Sequence, residues 1–250
     1  FTNECLLHTR YKGLAIMAAY IGWPQGAKLY AETSVSDPTV RVFYTFPSDV
    51  YNIYSLGTAL INGEEHLIVM TNRGAWFFTS IDPLIVKKTN RVFTVANGSG
   101  YTGLCFVQSP LPGNPLIVRS TDAIVLVPIE DSYTETASLM LNDLGMNNAQ
   151  ALGFLKLQRH DRPRAFFLES TTGSPGTVVT GGATSVDYQS RITSVNAYGH
   201  DYQIHHLSMT RITGASANRE RGGIAVTDGY RTIFWDGQEQ DLGLFSDEPP

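Results

Sequence analysis

TALINGEEHLIVMTNRGAWFF, residues 58–78, contains three apolar runs and two turns. Thr58-Ala59-Leu60-Ile61 and His66-Leu67-Ile68-Val69 flank Asn62-Gly63, and Asn-Gly supplies the positive φ values that a two-residue hairpin turn requires. Asn72-Arg73-Gly74 then separates Leu67-Ile68-Val69-Met70 from Ala75-Trp76-Phe77-Phe78. Asp228-Gly229 does the same between Ile224-Ala225-Val226 and Thr232-Ile233-Phe234-Trp235. Runs this short, rich in β-branched and aromatic residues and bounded by Gly, Asn and Asp, predict antiparallel strands joined end to end by tight turns.

The pattern repeats. Leu14-Ala15-Ile16-Met17, Leu67-Ile68-Val69-Met70, Leu116-Ile117-Val118-Arg119, Ala165-Phe166-Phe167-Leu168 and Ile224-Ala225-Val226-Thr227 begin 53, 49, 49 and 59 residues apart. A period of about 50 with several strands per unit matches a β-propeller blade. Each blade becomes stable only when stacked on a neighbour. The sequence therefore predicts an all-β chain, a single β-propeller-like domain over residues 1–250, with a β-sandwich or barrel as the alternative. One segment departs from the strand pattern. Ser132-Tyr133-Thr134-Glu135 has the form of a capping box, and Ala137 to Leu144 before Gly145 predicts a short surface helix.

With 42% hydrophobic and 16% charged residues among 250, the chain can bury a large core and is not a disordered tail. A net charge of −5 disfavours gripping nucleic acid through its phosphates, although it does not hinder DNA sliding past an acidic wall. No run approaches the ~18 apolar residues of a membrane helix. Cys5 and Cys105 lie outside any CxxC or Cys/His cluster and are read as buried free thiols. A disulfide between them, with Asn97-Gly98-Ser99 as a glycosylation tripeptide, is the alternative for an oxidising compartment. The start at Phe1 and the linker-like Ser246-Asp247-Glu248-Pro249-Pro250 predict a processed or excised part of a longer chain.

Candidates for chemistry are few. Asp37, Asp82, Asp122 and Glu169 are the candidate carboxylates for glycoside cleavage, which needs two of them facing one bond, but Asp-Pro and hairpin positions favour turns. His200, Asp201 and one of His205 and His206 form a conceivable metal group; the two adjacent histidines point to opposite faces of a strand. No Gly-x-Ser-x-Gly elbow or phosphate loop is present, and Thr172-Gly173-Ser174-Pro175-Gly176 reads as a turn. No catalytic, cofactor or metal residue is assigned. Arg159, Arg162 and Arg164, clustered with His160 around Asp161 and Pro163, are the candidate interface with an acidic neighbour subunit or a phosphate, the alternative being a solvated turn between two strands.

Thr9-Arg10-Tyr11-Lys12-Gly13-Leu14, Pro24, Lys28 to Thr33, Ser36-Asp37-Pro38, then Leu67 to Phe78 and Asp82-Pro83 follow in an order that resembles the propeller portion of bacteriophage tail nozzle proteins, the tail tubular or head-closure components of short-tailed phages. The resemblance covers roughly the first third, with a fainter echo at Leu116 to Val127 and Ile224 to Trp235. It implies a non-enzymatic virion component that assembles with other subunits into a ring-shaped homo-oligomer around a DNA exit channel. Two other functions remain open from the residues: a carbohydrate-binding or carbohydrate-cleaving propeller, and a secreted, extracellular recognition domain.

Overall fold

The computed structural model describes residues 5–20, 27–32, 39–50, 53–88, 105–120, 123–128, 137–140, 148–170, 190–209 and 212–244. They form five four-stranded antiparallel sheets, each a simple meander in chain order. Blade 1 is β1 (Cys5–Tyr11), β2 (Leu14–Tyr20), β3 (Ala27–Glu32) and β4 (Val40–Thr45), and blade 2 is β5 (Ile53–Ile61), β6 (Glu64–Thr71), β7 (Gly74–Ile81) and β8 (Leu84–Lys88). Blade 3 is β9 (Cys105–Gln108), β10 (Leu116–Arg119), β11 (Ala123–Val127) and β12 (Ala137–Met140). Blade 4 is β13 (Asn148–Leu155), β14 (Arg164–Ser170), β15 (Ser190–Val195) and β16 (Gln203–His205). Blade 5 is β17 (Gly214–Asn218), β18 (Gly223–Thr227), β19 (Arg231–Trp235) and β20 (Glu239–Leu244).

The first strands β1, β5, β9, β13 and β17 neighbour one another in that order, as the inner strands of a β-propeller do. All five apolar runs of the repeat fall on the second strands β2, β6, β10, β14 and β18. The turns behave as their residues require: Asn62 and Gly63 take φ of 52° and 81°. The β5–β6 ladder continues right up to them, closing on Ile61 opposite Glu64.

The capped helix expected before Gly145 is corrected. Ala137–Met140 is the strand β12, paired with β11 from Ala123 opposite Met140 to Leu126 opposite Ala137. A local cap stabilises a helix by about 1 kcal/mol; here strand pairing across the blade prevails. The capping box itself, residues 132–135, lies outside the described residues, as do Asn97 and residues 172–176. Among the described residues no helix is long and apolar enough to cross a membrane.

Packing between blades explains the unbroken apolar runs. Ile68, Met70, Ala75 and Phe77 of blade 2 pack on Phe106, Leu116 and Val118 of blade 3. The alternate residues Leu67, Val69, Trp76 and Phe78 pack on Tyr11, Ile16 and Leu29 of blade 1. A strand buried on both faces has no polar face to alternate with, so it reads as Leu-Ile-Val-Met. Cys105, Ile117 and Ile124 of blade 3 meet Ala165, Phe167 and Val195 of blade 4. Phe166, Ile192 and Leu155 of blade 4 meet Ile224, Val226, Ile233 and Trp235 of blade 5. The end blades differ: β3 alternates between buried and half-buried positions, and in β18 Ile224 and Val226 are buried while Ala225 and Thr227 are less so. Four apolar seams therefore join five blades, and among the described residues no apolar cluster joins blade 5 to blade 1.

Candidate functional site

In every blade the turn from first to second strand and the turn from third to fourth emerge at the same end, because the meander reverses at each strand. Hydrogen bonds between neighbouring blades show that these turns share one face. The Lys12 N–H donates to Glu65 Oε2 at 3.0 Å, and Ser109 Oγ donates to the Ala197 carbonyl at 2.7 Å. The Gln158 N–H donates to the Gly222 carbonyl at 2.8 Å, and the Arg159 N–H to the Asp236 carbonyl at 2.9 Å. The loop following β13 is thus fastened to both of the blade 5 turns on this face.

Beside that fastening lies an open groove of about 660 Å³. Lys156 and Gln158 come from the blade 4 loop, and Arg219, Glu220 and Arg221 from the β17–β18 turn. Phe234 of β19 with Gln240 and Leu242 of β20 complete it. Their arrangement follows from register. Phe234 pairs with Ala225 on one side and Gln240 on the other, on the face opposite Ile224, Ile233 and Trp235. Gly223 leaves room for the tip of the ring, since a Cβ on it would stand 2.2 Å from Phe234 Cζ. The Arg221 guanidinium sits over the same ring, 6.0 Å from its centroid, within cation–π reach. A smaller, mainly apolar cavity of about 310 Å³ lies farther round the same face, among Leu111, Pro115, Leu126, Pro128 and Tyr198.

No protein-family model matches the chain, and no curated protein does. Solved structures do. The catalytic domain of a Coprinopsis cinerea GH62 α-L-arabinofuranosidase is 8% identical, with 97% of this chain and 85% of that one covered and a TM-score of 0.48. A thermostable family-43 glycoside hydrolase is 9% identical over 97% and 94% of the two chains, also at 0.48. A third glycoside hydrolase is 11% identical at 0.48, and the chain spans 57% of its length. These neighbours are glycoside hydrolases, not phage tail components, and on that finding the expected role as a non-enzymatic nozzle subunit is corrected. At such identities and scores the likeness lies in the course of the chain and assigns no chemistry to any residue.

The candidate residues scatter. Asp37 and Asp122 lie outside the described residues. Asp82 is exposed at the β7–β8 turn, 3.5 Å from Arg41. Of the three arginines expected to form a basic interface, Arg162 stands exposed and Arg159 pairs with the buried carboxylate of Asp236 at 3.2 Å. Arg164 is turned inward instead. It donates to Ser194 Oγ at 2.8 Å, to Asp201 Oδ2 at 2.6 Å and to the Asp201 carbonyl, so an outward-facing role for it is corrected. That hydrogen bond from Arg164 holds the Asp201 carboxyl below the usual carboxylate range. Asp201 is therefore committed to an arginine, and among the described residues no group of three metal-ligating side chains forms.

His205 faces the interior. Its Nε2 is 2.8 Å from Ser194 Oγ, and its ring stacks obliquely on Trp235 at 4.8 Å. Burial pushes its pKa down to about 4, helped by His160, Arg164 and His206 nearby. With Arg164 donating to Ser194 Oγ, the serine hydrogen is left for Nε2, which accepts it as neutral imidazole. This pair is not a nucleophile and base in waiting, because Ser194 is fully buried.

Glu169, one of the candidate carboxylates, is fully buried at the centre of a charge network that the sequence reading missed. Arg119 Nε donates to Glu169 Oε1 at 2.8 Å, Arg191 Nε to Oε2 at 3.3 Å, and the Tyr202 hydroxyl to Oε2 at 2.7 Å. Glu169 thereby ties blade 3 to blade 4, and burial with its carboxylate raises the Tyr202 hydroxyl pKa. Cys105, the cross-strand partner of Arg119, is a buried free thiol whose pKa burial pushes up to about 12, so it stays protonated and inert.

Proposed function

We propose that the groove between the blade 4 and blade 5 turns binds carbohydrate. The observation that carries this reading is the half-buried Phe234 ring as an apolar floor, surrounded by amide, carboxylate and cationic side chains from three segments. A sugar ring offers an apolar C–H face and a rim of hydroxyls that both donate and accept. Gln158 and Gln240 can do both, Glu220 accepts, and the arginines donate. The volume is of the size that holds a small ligand. Its ligand would be of the class that the glycoside hydrolases named above act on; the groove, not the likeness, supports the reading.

Calorimetry against a panel of neutral and acidic oligosaccharides tests it, with reducing ends counted in the same samples. Binding to at least one, weakened about tenfold (~1.4 kcal/mol) by Phe234→Ala, is expected. Reducing ends released over time would extend the reading from binding to cleavage. Silence across the whole panel would overturn it.

A further inference from the structure

Resting on that reading, we infer that the groove selects a sugar carrying an anionic group, a carboxylate or a sulfate. In a chain of net charge −5, Lys156, Arg219 and Arg221 converge here against one carboxylate, Glu220. Among the described residues none of the three cations has an ion-pair partner, whereas Arg41, Arg73, Arg119, Arg159, Arg164 and Arg191 all do. Unpaired cations gathered in a concave site raise the local concentration of anions.

Two of these side chains are also held in position. Gly153 has φ of +126° at the bulge of β13, and the Arg219 guanidinium lies where its side chain would be, Nη2 3.3 Å from the Cβ position. Arg221 is held over the Phe234 ring. A guanidinium fork fixed beside an aromatic floor suits a ring-borne anion that takes two parallel N–H bonds while the ring packs on the phenyl face. A neutral sugar offers those donors single hydroxyl acceptors, without the charge or the paired oxygens of an anion.

The test compares the whole chain's binding to an oligogalacturonate, a sulfated oligosaccharide, a neutral oligosaccharide of equal length and polyglutamate of matched charge, at 50 and 300 mM salt. We expect an acidic sugar to bind at least tenfold tighter than the neutral one, and that margin to shrink at high salt. Arg219→Gln should erase most of the margin, weakening acidic-sugar binding far more than neutral-sugar binding, and Arg219→Lys should restore only part. The tighter of the two acidic sugars identifies the anion. Equal affinity for neutral and acidic sugars would overturn this inference while leaving carbohydrate binding intact. Polyglutamate binding as tightly as the acidic sugars would overturn it too, whereas no sugar binding at all is the failure of the reading beneath. Should Arg219→Gln not fold, the salt dependence of the unaltered chain decides alone.

Discussion

Glu169 is fully buried, with its two oxygens shared among Arg119, Arg191 and Tyr202, so any substitution there acts on three partners at once. Removing one member of a buried pair leaves a desolvated charge behind, a loss of about 3–5 kcal/mol. Glu169→Gln should therefore lower the urea midpoint sharply. Arg119→Met combined with Glu169→Leu should lower it less than the single change, because Arg119, the more deeply buried of the two arginines, is then not left stranded. His205 gives the pH dependence. Its pKa is about 4 in the fold against the ordinary 6.5, so the unfolded chain binds the extra proton between those values. His205 thus stabilises the fold in full above about pH 6.5, and that contribution is lost as pH falls toward 4. The melting temperature should drop across that window, and it should drop less in His205→Phe, which keeps a ring against Trp235 and Phe166.

At the scale of elements, the legible features were those whose physics is local. Asn62-Gly63 specified its own turn, and Gly63→Ala, forced to keep φ of 81°, should cost about 1 kcal/mol in chemical denaturation. Asp228-Gly229 was equally readable. Asp228 Oδ1 accepts the Tyr230 and Arg231 N–H groups at 2.9 and 2.7 Å, which fixes the turn and lowers the carboxyl pKa. The strand at Ala137–Met140 was misread because its cap and exit signals are local, whereas the β11 ladder that overrides them is not. The Glu169 network depends on residues one repeat apart, Arg119 and Glu169 being separated by 50 positions on the second strands of adjacent blades. A usable signal existed: an arginine ending the run Leu116-Ile117-Val118-Arg119 requires a buried partner, and the matching run in the next blade supplies a glutamate. The groove had no such signal. Lys156, Arg219, Phe234 and Gln240 meet only through the β13 bulge and the blade 5 register; singly, Phe234 reads as part of an apolar strand and the other three as ordinary surface.

For the molecule as a whole, the unequal seams dictate how stability is distributed. Among the described residues, blades 2, 3 and 4 are packed on both faces, while blades 1 and 5 each contribute one face to an apolar cluster. Among the described residues, the face of blade 5 away from that cluster carries Ser216, Asn218 and Gln240 beside the half-buried Phe234, opposite the packed Ala217, Ile224 and Trp235. In an array held by nearest-neighbour contacts, a unit with one seam opens at lower free energy than a unit with two. Amide exchange at neutral pH should accordingly find the slowest protons in β6, β10 and β14, and faster ones in the equivalent strands β2 and β18. Ladder length does not predict this gradient, since β10 has four pairs on each side against six and five for β2, so the gradient follows burial. Uniform protection across the five second strands would mean that blades 1 and 5 are also joined to each other. A bound oligosaccharide gives the complementary readout: occupying the groove, which joins the blade 4 loop to the outer face of blade 5, should slow exchange in β17 to β20 and leave β1 to β4 unchanged, since the ligand binds only states in which that loop stays on blade 5.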